Sequence, residues 1–331
     1  MNIAAFRNPG SKNIKILQLG QPTELKNTLL DSPVSDGYVV SSFNPEEDTL
    51  FYPVIKELDA IPKDIVEINE VLSSGYKEFT REEYDQYLNC IINALEDSED
   101  EKIVAARRKV VNKSVQPAEL LEALCEKYPL VYVYLISTER FGTWIGATPE
   151  LLLKREGSNL TSMALAGTRH KDDQDGEWDN KNIKEQKIVT DHICAVFEEF
   201  QLNADCSKLR TVNAGPVEHL QTLVTGIGLA QNRLNKLLGK LAPTPALSGY
   251  PRKKALNLIT EFEGSRGLYG GFAGMMKENG DFDFYVLIRC ALLQKDKIIL
   301  FAGGGITCHS EIEKEWEETE NKFETLRSII R

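Results

Sequence analysis

Several charged residues in this chain stand where an apolar surface should be. In a terminal helix expected from Ile312 onward, Ile312, Trp316, Thr319, Phe323, Leu326 and Ile330 fall within about 80° of one another on a wheel of about 100° per residue. Glu315, Glu318 and Lys322 line one flank of that stripe, while Glu313, Glu317, Glu320 and Glu324 point away and read as a solvated face. Two carboxylates one turn apart at the edge of a core repel unless they share a proton or a cation. In a second helix, expected from about Asn180 to Phe200, Glu185 projects into the apolar face made by Ile188, Val189, Ile193, Val196 and Phe200, with Asn182 and His192 beside it. A buried ionised carboxylate costs several kcal/mol unless it is paired or bound to a metal. Lys102 opens the apolar strand KIVAARRKVV, and Glu150 follows a proline and precedes three leucines, where desolvation would raise its pKa toward that of a general acid. Arg289 lies among Leu287, Ile288, Ala291 and Leu292 and calls for a carboxylate, from the protein or from a ligand. Just before the terminal helix, Gly303, Gly304 and Gly305 would let main-chain N–H groups approach an anion. Each feature also has a bland reading: a capped terminal helix, a surface lysine, a solvent-facing glutamate, a structural ion pair.

Periodicity supplies the elements that must position these groups. Residues 1 to about 75 alternate apolar runs (14–19, 37–41, 49–55) with turn clusters at Asn8-Pro9-Gly10 and Ser32-Pro33, which predicts short strands and hairpins. From Thr80, TREEYDQYLNCIINALED predicts a helix with a Thr80/Glu83 capping box and an apolar face of Tyr84, Tyr87, Leu88, Ile91 and Leu95. A helix at 117–126 follows, then strands in LVYVYLIST, in TWIGATPELLLKRE bent at Thr148-Pro149, and in LTSMALAGTRH ending at Gly167-Thr168. The polar loop KDDQDGEWDN precedes the Glu185 helix. His219 stands before an apolar run, where a satisfied structural histidine is commoner than a catalyst. LAPTPALSGYPRKKAL reads as a shaped loop entering a helix near Arg252. Residues 267–306 read as a three-stranded antiparallel meander with turns at 278–280 and 294–296, with Arg289 inside its long middle strand. No internal repeat or long linker interrupts the chain, so the expectation is a single large α+β domain over residues 1–331.

A net charge of -11 argues against nucleic acid or an anionic membrane as partner, though an anionic small molecule needs only local positive charge. The six cysteines are scattered without a CxxC, which fits a reducing compartment and small buried residues rather than disulfides or zinc. Four histidines without metal spacing leave oxygen ligands, and hence a hard ion such as magnesium, for any metal. The chain has no stretch of membrane-span length and no signal pattern at its amino terminus, so a cytoplasmic protein is expected, with a monomer as the default.

Taken in order, KIVAAR, GATPELL, LAGT, the KEQKIV stretch around Glu185, EHL, PTPALSGYP, LYGG, IRCA, FAGGGI and EWEETENK resemble the chorismate-utilising enzyme family, which includes isochorismate, salicylate and anthranilate synthases. The matches cover roughly residues 100–330, with residues 1–100 as a variable part. The resemblance implies antiparallel β-sheets packed together and flanked by helices. Within the family the chain is most similar to isochorismate synthases. PTPALSG before an aromatic residue and proline matches that subgroup's loop, and Lys102 matches the general base of members that use water. Ala166 stands where aminodeoxychorismate synthase carries a nucleophilic lysine. The pattern is broken at Ala242 and Gln186, each of which replaces a histidine common in the family.

The resemblance implies a reaction in which water adds at C2 of chorismate and the C4 hydroxyl leaves. Lys102 would be the base and Glu150 the acid, with pKa values displaced in opposite directions. Glu185, Glu315 and Glu318 would hold one Mg2+. Tyr269, Arg289, the amides of Gly303, Gly304 and Gly305, and Lys322 would bind the substrate's carboxylates. Gly167 and Thr168 would sit beside the incoming water or the ring, and His219 close to the substrate without a proton-transfer role. A salicylate synthase, which would also eliminate pyruvate, and a non-catalytic chorismate-binding protein are the competing readings.

Overall fold

A run such as LVYVYLIST, apolar at nearly every position, requires a strand buried on both faces. In the computed structural model, which describes residues 1–28, 35–63, 65, 76, 78–96, 98, 101–170, 177–214 and 217–330, the strand Tyr132–Thr138 does this. Tyr132, Tyr134 and Ile136 enter one apolar cluster, and Val133 and Leu135 enter another on the opposite face.

In chain order the strands are β1 (Asn2–Arg7), β2 (Lys15–Leu19), β3 (Thr23–Glu24), β4 (Gly37–Ser41), β5 (Leu50–Glu57), β6 (Lys102–Val111), β7 (Tyr132–Thr138), β8 (Gly142–Thr148) and β9 (Leu151–Glu156). They continue with β10 (Asn159–His170), β11 (Asp205–Cys206), β12 (Arg210–Ala214), β13 (Val217–Ile227), β14 (Gly249–Tyr250), β15 (Phe272–Met276), β16 (Phe282–Val286), β17 (Cys290–Leu293) and β18 (Ile298–Ile306). The main helices are α1 (Arg81–Ala94), α2 (Pro117–Lys127), α3 (Asn180–Glu199), α4 (Leu234–Leu241), α5 (Arg252–Glu263) and α6 (Ile312–Ile330).

Among the described residues all pairings are antiparallel and form two sheets. The first runs β5-β2-β1-β7-β8-β17-β18-β6-β14. The second runs β5-β4-β15-β16-β9-β10-β13, with β11 and β12 beside β13 and β3 beside β5. Strand β5 joins both, because Leu50 to Pro53 pair with β4 while Val54 to Glu57 pair with β2. The main apolar cluster draws on both sheets and on α1, α3, α4 and α5. A second cluster lies on the outer face of the first sheet under α2 and α6, where Leu124, Phe323 and Leu326 meet Leu135 and Leu300. The α+β architecture of packed antiparallel sheets flanked by helices is therefore the observed one. The Thr80/Glu83 capping box is present on α1.

Several expectations need correcting. Residues 267–306 are not a simple meander, because the expected long middle strand is two strands on different sheets, β16 on the second and β17 on the first. The chain crosses between them at Leu287 to Arg289, and Arg289 has a left-handed φ of +48°. An unbroken apolar run cannot separate one long strand from two short ones that are each buried on both faces. Strand β10 continues past Gly167-Thr168 to His170, with an irregularity in its pairing to β13 between Ala166 and Thr168. Glu320 is not simply solvated, since it accepts from Arg107, Lys109 and Arg327. Of the cysteines, Cys90 and Cys206 are exposed rather than buried, and the free thiols of Cys194 and Cys206 meet at 2.9 Å. The Ser32-Pro33 turn and residues 171–176 of the polar loop lie outside the described residues.

Candidate active site

The first residue of β6 is held between its neighbours by a close backbone approach. Gly249, at φ +112°, stacks so tightly on β6 that a Cβ there would lie 2.2 Å from the Lys102 carbonyl oxygen. Lys102 is 2% exposed, and burial pushes its amine below the usual lysine range against the pull of Glu185. The surface-lysine reading is excluded. Glu150 occupies the turn between β8 and β9. Its N–H donates to Thr148 Oγ1 at 3.2 Å and its carbonyl accepts from Val286 N–H at 3.0 Å. At 3% exposure its carboxyl is pushed up by burial to about 8, and Oε1 has no hydrogen-bond partner among the described residues. Both side chains line one cavity.

Two helices bring three carboxylates to that cavity. A Cβ on Gly304 would lie 3.0 Å from Glu315 Oε2, and one on Gly305 would lie 3.3 Å from Glu185 Oε2. Glu318 also stands over Gly304, with its Cδ 3.8 Å from that Cβ position. The glycines thus have a use beyond their amides, because without side chains they form a floor on which acids from α3 and α6 converge. Gly303 likewise leaves room for Tyr269, whose hydroxyl would be 2.9 Å from a Cβ. On its far side β18 is paired with β17 only as far as Phe301, so among the described residues the main chain of Gly303 to Gly305 has no strand partner on that edge. The Gly303 carbonyl accepts from Lys322 Nζ at 2.7 Å.

Each carboxylate meets a lysine. Lys322 donates to Glu318 at 2.6 Å, Lys181 to Glu315 at 2.9 Å, and Lys102 stands 3.9 Å from Glu185. Burial raises the pKa of Glu185, and in Glu318 burial is outweighed by Lys322, which brings it below the usual range. Among the described residues no three such side chains are already set to hold a metal ion. The donor set nevertheless suits a hard divalent cation: three oxygen ligands over a glycine floor that a Cβ would fill, and a buried oxygen, Glu315 Oε2, without a hydrogen-bond partner.

Arg289 is met by an imidazole. His219 Nδ1 is 2.9 Å from the Gly167 carbonyl, which can only accept, so the proton is on Nδ1 and the bare Nε2 accepts from Arg289 Nη2 at 2.8 Å. Burial and the Arg289 charge push the His219 pKa down to about 3, so the ring stays neutral and orients the guanidinium. Thr168 N–H donates to Asn182 Oδ1 at 2.9 Å, and Asn182 N–H donates to the N-cap Asp179 at 2.7 Å, which pins the start of α3 to the β10 irregularity. Gln186 donates to Thr190 and Thr222, each at 2.8 Å, tying α3 to β13 where the family histidine is missing.

The structure therefore gathers the residues expected to bind substrate and metal or to move protons. Lys102, Glu150, Gly167, Thr168, Glu185 and His219 line the cavity, as do Tyr269, Arg289, Gly303, Gly305, Glu318 and Lys322, with Gly304 and Glu315 directly behind the lining. Thr168, Arg289, Glu318 and Lys322 also border an outer vestibule walled by Trp178, Asn182 and Asn321. Sequence reasoning missed Lys181, although its place one helical turn before Glu185 was a usable signal.

With this geometry in view, comparison with known proteins defines the class. The profile of the family described as chorismate binding enzyme matches residues 48–331, and the chain belongs to that family. It is 33% identical over 229 residues to isochorismate synthase EntC of Escherichia coli K12, covering 66% of this chain and 58% of EntC. To isochorismate synthase MenF of Bacillus subtilis it is 29% identical over 286 residues, covering 81% of this chain and 59% of that protein. The chain thus spans a little under three fifths of the length of these two relatives. Its fold matches the solved structure of MenF, the menaquinone-specific isochorismate synthase from Escherichia coli, with a TM-score of 0.84 at 18% identity over 100% of this chain and 89% of that one.

Proposed function

We propose that the protein is an isochorismate synthase, an isomerase that converts chorismate to isochorismate with Mg2+ as cofactor. One observation carries the reading: a lysine and a glutamate, both almost fully buried in one cavity, have pKa values displaced in opposite directions. A neutral amine that can take a proton and a carboxyl that still holds one at neutral pH are what this isomerisation requires.

In the proposed cycle, Lys102 Nζ takes a proton from water as its oxygen bonds to C2 of the ring. The ring double bonds shift, the C4–O bond breaks, and Glu150 gives its proton to the departing hydroxyl, which leaves as water. Atoms balance, since one water enters and one leaves. A proton returned from the Lys102 ammonium to the Glu150 carboxylate through solvent resets the pair. Arg289, held by His219, and Lys322 meet the substrate carboxylates together with Tyr269 and the edge of Gly303 to Gly305, while Gly167 and Thr168 flank the ring. Glu185, Glu315 and Glu318 would hold the Mg2+, which when bound supplies positive charge against the ring carboxylate. Among the described residues no helix is long and apolar enough to cross a membrane. A cytoplasmic monomer acting on a small molecule is in keeping with this reading.

Incubation of the purified protein with chorismate and Mg2+, followed by chromatography, should yield isochorismate, and a chelator should abolish it. Unchanged chorismate would overturn the proposal. Release of pyruvate would favour a salicylate synthase.

A further inference from the structure

Lys181 has no part in the proton transfers, yet it stands inside the acidic cluster. Its Nζ donates to Glu315 Oε1 at 2.9 Å, with the lysine side chain 38% exposed and the glutamate 2% exposed. The same oxygen accepts from Ser310 Oγ at 2.7 Å, while Glu315 Oε2 has no hydrogen-bond partner among the described residues. The ammonium therefore sits on Glu315, one of the three carboxylates that would hold the divalent ion. Two positive centres in that space repel one another, and both draw on Glu315. Of the lysines facing these acids, Lys102 is buried and Lys322 is also held by the Gly303 carbonyl. Lys181 is partly exposed.

We propose that Lys181 is a placeholder cation: it neutralises Glu315 in the metal-free protein, competes with the divalent ion for the carboxylate cluster, and is displaced toward solvent when the ion enters. It is a positioning residue, and the inference rests on the metal reading given above.

The test is Mg2+ binding by calorimetry, with Mn2+ titration followed by electron paramagnetic resonance, on the wild-type protein, Lys181→Met and Lys181→Arg. Lys181→Met should bind Mg2+ about tenfold more tightly, because one competing charge has gone. Lys181→Arg should stay near the wild-type affinity. In the unmutated protein, Mg2+ should increase acylation of Lys181 by an amine-reactive reagent, read by peptide mass spectrometry, which tests the displacement even if a variant folds poorly. Wild-type binding with equal or weaker affinity in Lys181→Met, or Lys181 acylation unchanged by Mg2+, overturns the inference alone. Absence of Mg2+ binding by the wild-type protein overturns the metal reading and the inference with it.

Discussion

Strand β6 touches two groups of buried charge that are built in opposite ways. At Val104 and Ala106 it meets the Glu263–Arg266 pair, whose side chains are both 0% exposed and 2.5 Å apart. There Glu263 also accepts from Tyr87 Oη and Ala106 N–H, and Arg266 donates to the carbonyls of Leu247 and Val104. At the start of the same strand, Lys102 has its ion-pair contact only at 3.9 Å, and across the cavity Glu150 Oε1 has no hydrogen-bond partner among the described residues. The first group spends its polarity on the fold. The second leaves it for something that enters, and its pKa displacements follow from that incompleteness.

The comparison can be broken by mutation. Lys102→Ala should lower turnover by about 10^3-fold, within the range of general acid–base contributions. It should leave the thermal midpoint near the wild-type value, because the buried amine it removes has its ion-pair contact at 3.9 Å rather than at hydrogen-bond distance; near-normal turnover would remove the proposed base. Arg266→Met should do the reverse, costing about 3–5 kcal/mol of stability in urea unfolding by stranding the Glu263 charge, with turnover per folded molecule preserved. A loss of turnover without loss of stability would erase the distinction between the two groups.

The pH dependence is a third check. The Glu150 carboxyl, raised from the ordinary range to about 8, must be protonated to act, so kcat should fall as pH rises through about 8. The sign for stability is the same, since between the ordinary carboxyl range and about 8 the folded state keeps a proton that the unfolded chain releases, and this group's contribution declines across that window. A kcat still rising well above pH 8 would unseat Glu150 as the acid. The smallest expected effect is Gln186→Ala, at about 1–2 kcal/mol, through two hydrogen bonds between side chains at the α3–β13 contact. No measurable change in the denaturation midpoint would show that the contact is not needed to seat α3.

Much of this was legible beforehand because local periodicity exposes discord. Glu185 on an apolar helix face, and Glu315 and Glu318 beside an apolar stripe, break the pattern of their own helices, and charges in such places need partners wherever the helices pack. The glycines were noticed for a different reason. Their amides were the expected feature, whereas their missing side chains, which let carboxylates settle on β18, depend on what packs above them. Arg289 was expected inside one strand, calling for a carboxylate from the protein or from a ligand, and the structure gives it a change of sheet and a neutral imidazole as one of its partners. The 2.9 Å meeting of Cys194 and Cys206 joins a helix to a strand, and the ion pairs of Glu320 with Arg107 and Lys109 join residues far apart in the chain, so neither spacing nor composition encodes them.

The sequence by itself determined the elements, their caps and apolar faces, the ordered motifs of a chorismate-binding enzyme, and the small set of charged residues at odds with their surroundings. Each of these is a property of neighbours within a few turns or one strand, where backbone geometry fixes which side chains share a face. Only the tertiary structure decided that Lys102 and Glu150 share a cavity, that each acid leans on a particular lysine, and that His219 is neutral and orients Arg289. Desolvation and Coulomb interaction depend on what surrounds a group in three dimensions, so their balance could be known only once the two sheets and the helices α3 and α6 had been brought together.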